Sequence, residues 1–354
     1  MSRVVLKQVT KRYGDTFAVR GLDLDIREGE LLTLLGPSGC GKTTTLRMIA
    51  GFVLPTSGTV YLGDEDVTRL PPNKRDIGMV FQDYALFPHM TIGENIGFGL
   101  TERRIEKAAI SRRVKELLDL VQLADVENRY PPELSGGQQQ RIAVARAVAY
   151  SPRVLLMDEP LGALDLKLRE AMQTEIRQIQ QRLGTTTVYV THDQTEAMHM
   201  SDRIVVMKAG MIEQMGTAEE IYNRPRTRFV ADFIGQINLL DGAVVGRDGR
   251  FAVVEMNGKH VRIESASEAR GKVTVGIRPQ HLTLAANGAA GAGYNVLPGR
   301  IKGRTFSGNL VHIEVELDEG QGVMIETRPE EVTGDAGTKV NVQWLPGRGM
   351  VLTQ

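Results

Sequence analysis

The sequence predicts an α/β unit with a parallel sheet, followed by a smaller all-β unit. In the first part, short apolar runs alternate with segments of helical pattern, and these runs are 31–36, 154–157, 187–190 and 204–207. Apolar strands that alternate with helices imply a parallel sheet covered on both faces. From about Gly235, apolar residues recur at every second position, which is typical of antiparallel strands. We therefore expect two domains, 1–235 and 236–354.

The first part also contains an alternating strand and one long helix. In the strand, Leu22, Leu24 and Ile26 alternate with charged residues. In the helix, apolar residues recur at spacings of three and four, namely Leu164, Leu168, Met172, Ile176, Ile179 and Leu183. Both patterns predict elements that are apolar on one face.

The second part shows two hairpin patterns. Residues 311–317 place apolar side chains on one face, a Gly-rich turn follows, and residues 323–325 continue the pattern on a return strand. Asn257 and Gly258 form a dipeptide that is typical of a two-residue hairpin turn. The composition of residues 286–295 predicts a flexible loop. These patterns predict a small barrel of the OB type.

Composition narrows the classes of partner. The chain has 354 residues, with 43 Lys and Arg against 43 Asp and Glu, so its formal net charge is zero. Nucleic-acid-binding proteins usually need an excess of positive charge, which argues against a nucleic acid as the main partner. The single cysteine, Cys40, excludes an internal disulfide and fits a reducing compartment. We see no apolar signal core at residues 1–15 and no run of about 20 apolar residues, so we expect a soluble chain.

Residues 36–44, GPSGCGKTT, follow the first apolar run, open a helical pattern and match G-x-x-x-x-G-K-[ST]. Glycines let backbone N–H groups fold round phosphate oxygens, and the helix N-terminus adds partial positive charge. We expect Lys42 to reach the phosphates and Thr43 to ligate Mg²⁺. The residues expected to contact the nucleotide are Gly36, Pro37, Ser38, Gly39, Cys40, Gly41, Lys42, Thr43 and Thr44. The alternative is a chance glycine turn, and this phosphate loop alone indicates only an NTPase or a kinase.

Cys40 lies inside the phosphate loop, close in sequence to Lys42 and to a helix N-terminus. Both neighbours are expected to lower the pKa of its thiol. Alkylation of Cys40 should then inactivate the chain, and ATP should protect it. The alternative is a small space-filling side chain without a catalytic role.

A second motif, VLLMDEP at 154–160, is an apolar run that ends in two carboxylates. Asp158, at the end of the strand, is expected to hold Mg²⁺ directly or through water. Glu159 is expected to polarise the attacking water as a general base. The alternative is a strand that simply ends in a polar turn.

Residues 134–149, LSGGQQQRIAVARAVA, resemble the ABC ATPase family, whose signature is LSGGQ. Ser135, Gly136, Gly137 and Gln138 precede a helical pattern, so backbone N–H groups there make a second anion site; the alternative is an ordinary N-cap. The resemblance implies that this segment binds the γ-phosphate held by the phosphate loop of a second chain. Two ATP molecules would then lie between two copies, and we expect a homodimer.

Four further positions match motifs of this family. Tyr13 resembles the aromatic residue that stacks on adenine, unless it is an exposed tyrosine at a strand end. Gln82 resembles the glutamine that contacts Mg²⁺ or water, and Asp165 in LGALD resembles an aspartate that faces the partner chain. Gly162 stands where many relatives have Ser. His192 resembles the histidine that contacts the γ-phosphate; a buried structural histidine or a metal ligand are alternatives, but no His or Cys at ligand spacing supports zinc.

The resemblance covers about residues 1–235 and implies a P-loop NTPase fold with a helical subdomain at about 85–155. It also implies a cycle in which ATP closes the dimer, closure moves two membrane-spanning permease subunits, and hydrolysis reopens the dimer. The cofactors would be ATP and Mg²⁺, and the chain would be peripheral on the cytoplasmic side of the bacterial inner membrane. Charge on the transferring phosphoryl group would be stabilised by Lys42, Gln82, His192 and Ser135.

Residues 276–284, GIRPQHLTL, resemble the TOBE domain of importer ATPases. Importers imply a further partner, a periplasmic or extracellular solute-binding protein. The domain is either a brace for the dimer or a small-molecule sensor. Stretches such as 37–51 and 80–100 look most like the polyamine branch, while iron(III), phosphonate, sulfate and sugar uptake stay open. So do a soluble ABC ATPase without a transporter, an export ATPase and a P-loop kinase.

Overall fold

The computed structural model describes residues 2–162, 164–256, 258–265, 270–285, 291, 293–332 and 334–352. The chain divides into two compact units, Met1–Glu219 and Glu220–Gln354. The boundary expected between residues 235 and 236 falls inside the second unit, where a preceding short helix, Arg228–Phe233, packs on a strand, Gly271–Ile277. No helix in the described part of the chain is both long and apolar enough to cross a membrane.

The first unit mixes strands and helices. Its strands are β1 (Val4–Tyr13), β2 (Thr16–Ile26), β3 (Leu31–Leu35), β4 (Ser57–Leu62), β5 (Glu65–Asp66), β6 (Ile77–Val80), β7 (Val154–Asp158), β8 (Thr186–Thr191), β9 (Arg203–Lys208) and β10 (Met211–Gly216). Its helices are α1 (Lys42–Ala50), α2 (Ile92–Glu102), α3 (Lys107–Leu120), α4 (Gly136–Val148), α5 (Leu166–Leu183) and α6 (Gln194–Met200). Helix α7 (Ala218–Asn223) spans the division between the units.

The strands of the first unit form two sheets. One is antiparallel in the order β2-β1-β4-β5, and the other has the order β10-β9-β3-β8-β7-β6. In the second sheet β10 is antiparallel and the other strands are parallel. Every residue of β3, β7 and β8 is buried. This confirms the predicted parallel sheet covered on both faces.

The long helix predicted from the apolar stripe is α5, which begins later than the stripe does. Met172 and Ile176 are buried, as predicted. Leu164 lies before the helix, because the Asp165 side chain accepts a hydrogen bond from the N–H of Leu168 over 3.0 Å and caps α5 there. The prediction was therefore right about the helix and wrong about its first turn.

Helices α2, α3 and α4 pack on one another and share one apolar cluster. The cluster continues onto the parallel sheet through Leu155, Met157 and Tyr189. All three helices lie within the stretch 85–155 that was expected to form a helical subdomain.

The second unit is built almost entirely of strands. They are β11 (Asn238–Asp248), β12 (Phe251–Met256), β13 (Lys259–Glu264), β14 (Gly271–Ile277), β15 (Thr283–Ala285), β16 (Asn295–Phe306), β17 (Val311–Leu317), β18 (Gly322–Thr327), β19 (Lys339–Trp344) and β20 (Gly349–Leu352); the helix Arg228–Phe233 is α8. Two antiparallel sheets have the orders β13-β12-β11-β14-β20 and β15-β19-β16-β17-β18. Their inner faces share one apolar core. The result is the barrel-like, OB-type unit that the alternation predicted.

Both predicted hairpins are present. β17 and β18 pair antiparallel from Val311 with Thr327 onward. β12 and β13 pair Met256 with Lys259, so the connection is the predicted dipeptide; Gly258 has φ 64°, and Asn257 lies outside the described residues. Most of the loop predicted at 286–295 lies outside them too, at 286–290 and 292.

The two sheets of the second unit repeat one pattern that sequence analysis missed. β11 and β16 both begin with the pattern N-x-L-x-G, at 238–242 and 295–299, and each carries a β-bulge at the corresponding place. The carboxamide of Asn238 exchanges two hydrogen bonds with the backbone of β18, and that of Asn295 does so with the backbone of β13. Each asparagine therefore ties the central strand of one sheet to the other sheet.

A buried arginine joins the helical start of the second unit to its strands. Arg278, which follows β14, is fully buried. Its guanidinium donates hydrogen bonds of 2.8–3.1 Å to the carbonyls of Tyr222, Ala231, Gly235 and Gln236. The same guanidinium lies 4.2 Å from the centroid of the Tyr222 ring. Residues 222–236 are thereby fastened to the β-structure, which explains why the division between units precedes the predicted one.

Candidate nucleotide site

The motifs predicted from sequence meet at one edge of the parallel sheet. The register pairs Leu35 with Thr191 and Val190 with Asp158, so β3, β8 and β7 end together. The phosphate loop follows β3, His192 follows β8, and Gln82 follows β6. Ligands of open α/β sheets bind at the carboxyl edge of the strands, so this edge is the candidate site.

The phosphate loop needs glycine at two positions. A Cβ at Gly36 would overlap the carbonyl oxygen of Met207, and one at Gly41 would overlap that of Ala18. Gly41 also has φ 107°, a conformation that disfavours residues with a Cβ. The loop is thus closely packed between β9 and β2, with its backbone as the available surface.

The same loop presents its donors to an anion. Gly41 is the N-cap of α1 and has no side chain with which to cap the first turn, where backbone N–H groups lack intrahelical partners. Lys42 is buried, and its Nζ donates to the carbonyls of Gly36 at 2.7 Å and Pro37 at 3.1 Å. The ammonium is therefore held against the loop, and the residues present fit a phosphate group at this point.

Thr43 and Asp158 bring two oxygen ligands together. The Thr43 hydroxyl donates to Asp158 Oδ1 over 3.1 Å. Burial raises the pKa of Asp158, and the hydrogen bond from Thr43 opposes that rise. A hydroxyl beside a carboxylate is the donor set that Mg²⁺ takes in phosphoryl-transfer sites, so both positions fit the predicted metal contact.

Glu159 and His192 form the second polar pair of the edge. Glu159 Oε2 lies 3.2 Å from His192 Nδ1. Glu159 has φ 45°, and its N–H donates to the carbonyl of Val190 over 3.0 Å. That left-handed backbone is unusual for glutamate and typical of strained functional positions. His192 is 61% exposed, so it is not the buried structural histidine that sequence left open.

Gln82 approaches the same region from β6. A Cβ at Gly162 would lie 3.8 Å from Gln82 Nε2 and 3.5 Å from the carbonyl oxygen of Glu159. The Gln82 amide and Gly162 are therefore neighbours. The spacing is ordinary van der Waals contact, so a serine side chain would have room at Gly162.

Arg146 on α4 holds the segment that follows Gln82, and sequence analysis missed it. Tyr84 and Ala85 have φ 61° and 47°, and their carbonyls accept hydrogen bonds from the Arg146 guanidinium at 2.8 and 2.6 Å. Burial lowers the pKa of Arg146, while Asp83 opposes that effect. The sequence signal was an arginine within the apolar second half of α4, residues 142–148.

The signature segment caps its own helix in the single chain. Ser135 Oγ accepts from the N–H of Gln138 over 3.4 Å, and Gln138 Oε1 accepts from the N–H of Ser135 over 2.9 Å. This is a capping box for α4. Gly136 is exposed, and a Cβ at Gly137 would lie 3.1 Å from the Leu168 side chain. The segment thus lies beside α5, and its contact with a nucleotide stays a prediction.

Tyr13 and Asp165 have local roles in the chain as described. Tyr13 ends β1 with 52% exposure, and Lys11 Nζ lies 4.9 Å from its ring centroid. The hairpin of β1 and β2 reaches the phosphate loop where Ala18 meets Gly41. Asp165 caps α5. Adenine stacking by Tyr13 and partner contact by Asp165 stay predictions.

The expected lowering of the pKa of the Cys40 thiol is wrong, and its reactivity towards alkylation stays a prediction. Its side chain is 3% exposed, and burial raises the pKa of the thiol. Lys42 Nζ lies 4.0 Å from Sγ and favours the thiolate, but its effect is the smaller one. The thiol packs beneath Gly36, where an added Cβ would lie 2.7 Å from Sγ. The position of Cys40 two residues before Lys42 gave no indication that its thiol is buried.

Comparison with known proteins agrees with this geometry. The model of the ABC transporter family matches residues 19–162, and that of the TOBE domain matches residues 275–352. The chain is 46% identical over 358 residues to the spermidine/putrescine import ATP-binding protein of Thermobifida fusca, covering 99% of this chain and 93% of that one. It belongs to the ABC transporter ATP-binding family.

This importer-type ABC ATPase has other relatives of comparable similarity. The Fe(3+) ions import ATP-binding protein of Rhizobium etli is 48% identical over 323 residues, covering 91% of this chain and 90% of that one. A dimeric structure of a bacterial ABC transporter cassette matches with a TM-score of 0.55 and 36% identity, over 61% of this chain and 98% of that one. The chain is therefore an ATPase that carries an ABC fold and a C-terminal TOBE domain.

Proposed function

We propose that the chain energises a bacterial ABC importer as a homodimer bound to two membrane-spanning permease subunits. The observation that carries the proposal is the meeting of the phosphate loop, Asp158, Glu159 and His192 at one sheet edge. Relatives named for import support the direction of transport, and dimeric cassettes of similar structure support the dimer. The ATPase would be peripheral on the cytoplasmic side, with a solute-binding protein on the opposite side.

At this edge each side chain has a separate task. Lys42 and the first-turn N–H groups of α1 bind the phosphates. Thr43, Asp158 and Gln82 would hold Mg²⁺, and the bound ion would supply positive charge beside the phosphate oxygens. Glu159 orients the attacking water and accepts its proton, and His192, 3.2 Å from Glu159, contacts the γ-phosphate.

The dimer would complete the site from both copies. Ser135 to Gln138 of one chain would bind the γ-phosphate on the other, with Asp165 at the same interface. In the single chain Ser135 and Gln138 satisfy each other's backbone N–H groups. The Ser135 hydroxyl accepts in that pair, so its O–H could donate a charge-assisted hydrogen bond, which is the stronger kind, to a phosphate while the cap stays intact.

For the solute we propose polyamines, since relatives named for spermidine and putrescine import span nearly the whole chain. Iron(III) is the second candidate, because relatives named for Fe(3+) import are equally similar. Phosphonate, sulfate and sugar, and a soluble ABC ATPase without a transporter, are the remaining alternatives. The ATPase does not contact the solute, so its own residues cannot decide between them.

Uptake in the native host tests both parts of this proposal. We would delete the gene, complement it with wild type or Glu159→Gln, and measure uptake of labelled putrescine, spermidine, iron(III), phosphonate, sulfate and a sugar. We expect loss of polyamine uptake alone, with rescue by wild type only. Loss of another solute would refute the polyamine assignment and keep the importer. Intact uptake of every solute would count against an importer of any of these solutes.

A further inference from the structure

A buried carboxylate lies beside the Glu159–His192 pair and has no task in the proposed chemistry. Glu196, on α6, is 3% exposed, and its Oε2 accepts hydrogen bonds from the Tyr189 hydroxyl at 2.8 Å and the Thr191 hydroxyl at 2.7 Å. Thr191 immediately precedes His192. Glu196 therefore fixes the backbone on one side of that histidine.

The residue on the other side of His192 is held as well. Asp193 caps α6 by accepting from the N–H groups of Thr195 and Glu196, and its own N–H donates to Thr191 Oγ1 over 3.0 Å. Its second carboxylate oxygen lies 3.3 Å from a guanidinium nitrogen of Arg169. His192 thus stands between two anchored neighbours while its own ring stays exposed.

Arg169 connects this anchored segment to Leu164, which lies just before α5. One of its terminal nitrogens donates to Asp193, and the other donates to the carbonyl of Leu164 over 2.9 Å. Its Nε lies 3.9 Å from Glu196 Oε1, which adds attraction without a hydrogen bond. A planar guanidinium can hold two loops at a fixed separation in this way, whereas a lysine ammonium cannot.

We infer that Arg169 is a positioning residue that holds His192 at a fixed position relative to Leu164. The inference rests on the proposed roles of Glu159 and His192. Gly162, two residues before Leu164, borders Gln82 and Glu159, so a displacement of Leu164 would be passed to the histidine through Arg169. Arg169 contacts Asp193 and Glu196, which are themselves held by α6 and β8.

Steady-state ATP hydrolysis by the purified full-length chain tests this inference. Arg169→Met keeps the length of the side chain and removes both hydrogen bonds, so we expect kcat to fall about tenfold with little change in KM. Arg169→Lys keeps the charge and should recover only part of the loss. Arg177→Met is the matched control, because Arg177 lies on the same helix, pairs with Asp202 and is similarly exposed. It should leave kcat unchanged.

A double substitution separates positioning from general support of the fold. If Arg169 acts through His192, Arg169→Met should lower kcat no further in a chain that already carries His192→Ala. Fully multiplicative losses, or a loss in Arg177→Met equal to that in Arg169→Met, would overturn the inference. Should Arg169→Met fail to fold, the same comparison is made with Arg169→Lys.

The proposed function and this inference fail in different ways. Equal rates for wild type and Glu159→Gln would refute the catalytic role of Glu159, and with it the basis of the inference. A slow Glu159→Gln chain together with wild-type kcat in both Arg169 variants would refute the inference alone.

Discussion

In the first unit, polar side chains that meet at the sheet edge pair with one another, whereas prominent polar side chains of the second unit bind its own backbone. Thr43 pairs with Asp158, and Glu159 pairs with His192, at the edge where the phosphate loop lies. In the second unit, Asn238, Asn295 and Arg278 donate to backbone carbonyls within the unit.

These hydrogen bonds stabilise the second unit itself. The repeated asparagines tie its two sheets together, and the buried arginine fastens a helical segment to them. We therefore expect changes in the first unit's edge to alter activity and changes in these residues of the second unit to alter stability. Whether the TOBE domain braces the dimer or senses a small molecule stays a prediction.

The largest expected effect is on hydrolysis. Glu159→Gln preserves shape and removes the base, so kcat should fall by about 10²–10⁴, the usual share of general base catalysis. The melting temperature and ATP binding should stay at wild-type values, because the Glu159 side chain pairs with the exposed His192 and not with a buried group of the fold. Phosphate release, nucleotide binding and thermal unfolding measure the three quantities.

A wild-type rate in Glu159→Gln would contradict the assignment of the base. A large fall in melting temperature would instead break the comparison between the units, because it would give Glu159 a structural role.

Sequence analysis predicted those parts of the site whose residues are consecutive in the chain. Residues 36–44 and 154–160 carry strand, turn and functional group in one stretch, so local pattern placed them. Arg146 and Arg169 were missed because their partners lie elsewhere: Arg146 holds Ala85, 61 residues away in sequence. The start of α5 was missed for a different reason. The apolar stripe includes Leu164, but the side chain of Asp165 caps the helix, which therefore begins at Leu166.

The second prediction concerns two buried arginines, one in each unit. Arg75 is 1% exposed and donates to the carbonyls of Met48 and Ile49 at the end of α1, as Arg278 does to carbonyls of the second unit. Burial lowers the pKa of Arg75 to about 10, so it stays charged at neutral pH. Replacing either with Met leaves carbonyls unpaired and should cost about 2–4 kcal/mol of unfolding free energy.

Urea denaturation of the full-length chain measures this cost, and ATP hydrolysis measured below the transition shows whether activity follows. Arg278→Met should lose stability at wild-type kcat. Arg250→Met is the control, because Arg250 is 72% exposed beside Glu264 and should change stability by less than about 0.5 kcal/mol. Equal stabilities of Arg278→Met and Arg250→Met would contradict a stabilising role for Arg278 in the second unit.

The smallest expected effect is at Cys40, which lies at the sheet edge but is as buried as a core residue. Because burial raises the pKa of its thiol, the native chain holds less thiolate at any given pH than the unfolded chain does. Iodoacetamide near neutral pH should therefore modify native Cys40 at least about tenfold more slowly than the urea-unfolded chain. The native rate should rise only at higher pH than the unfolded rate, and mass spectrometry measures both.

Cys40→Ser, which has no thiol to modify, controls for reaction elsewhere. ATP hydrolysis should survive brief treatment of the native chain, since Cys40 is 3% exposed and its thiol packs against Gly36. Equal labelling rates in the native and unfolded chains, with loss of hydrolysis, would mean that Lys42 outweighs burial in setting the pKa of Cys40. Cys40 would then be a reactive residue of the sheet edge and not a buried residue that supports the fold of the phosphate loop.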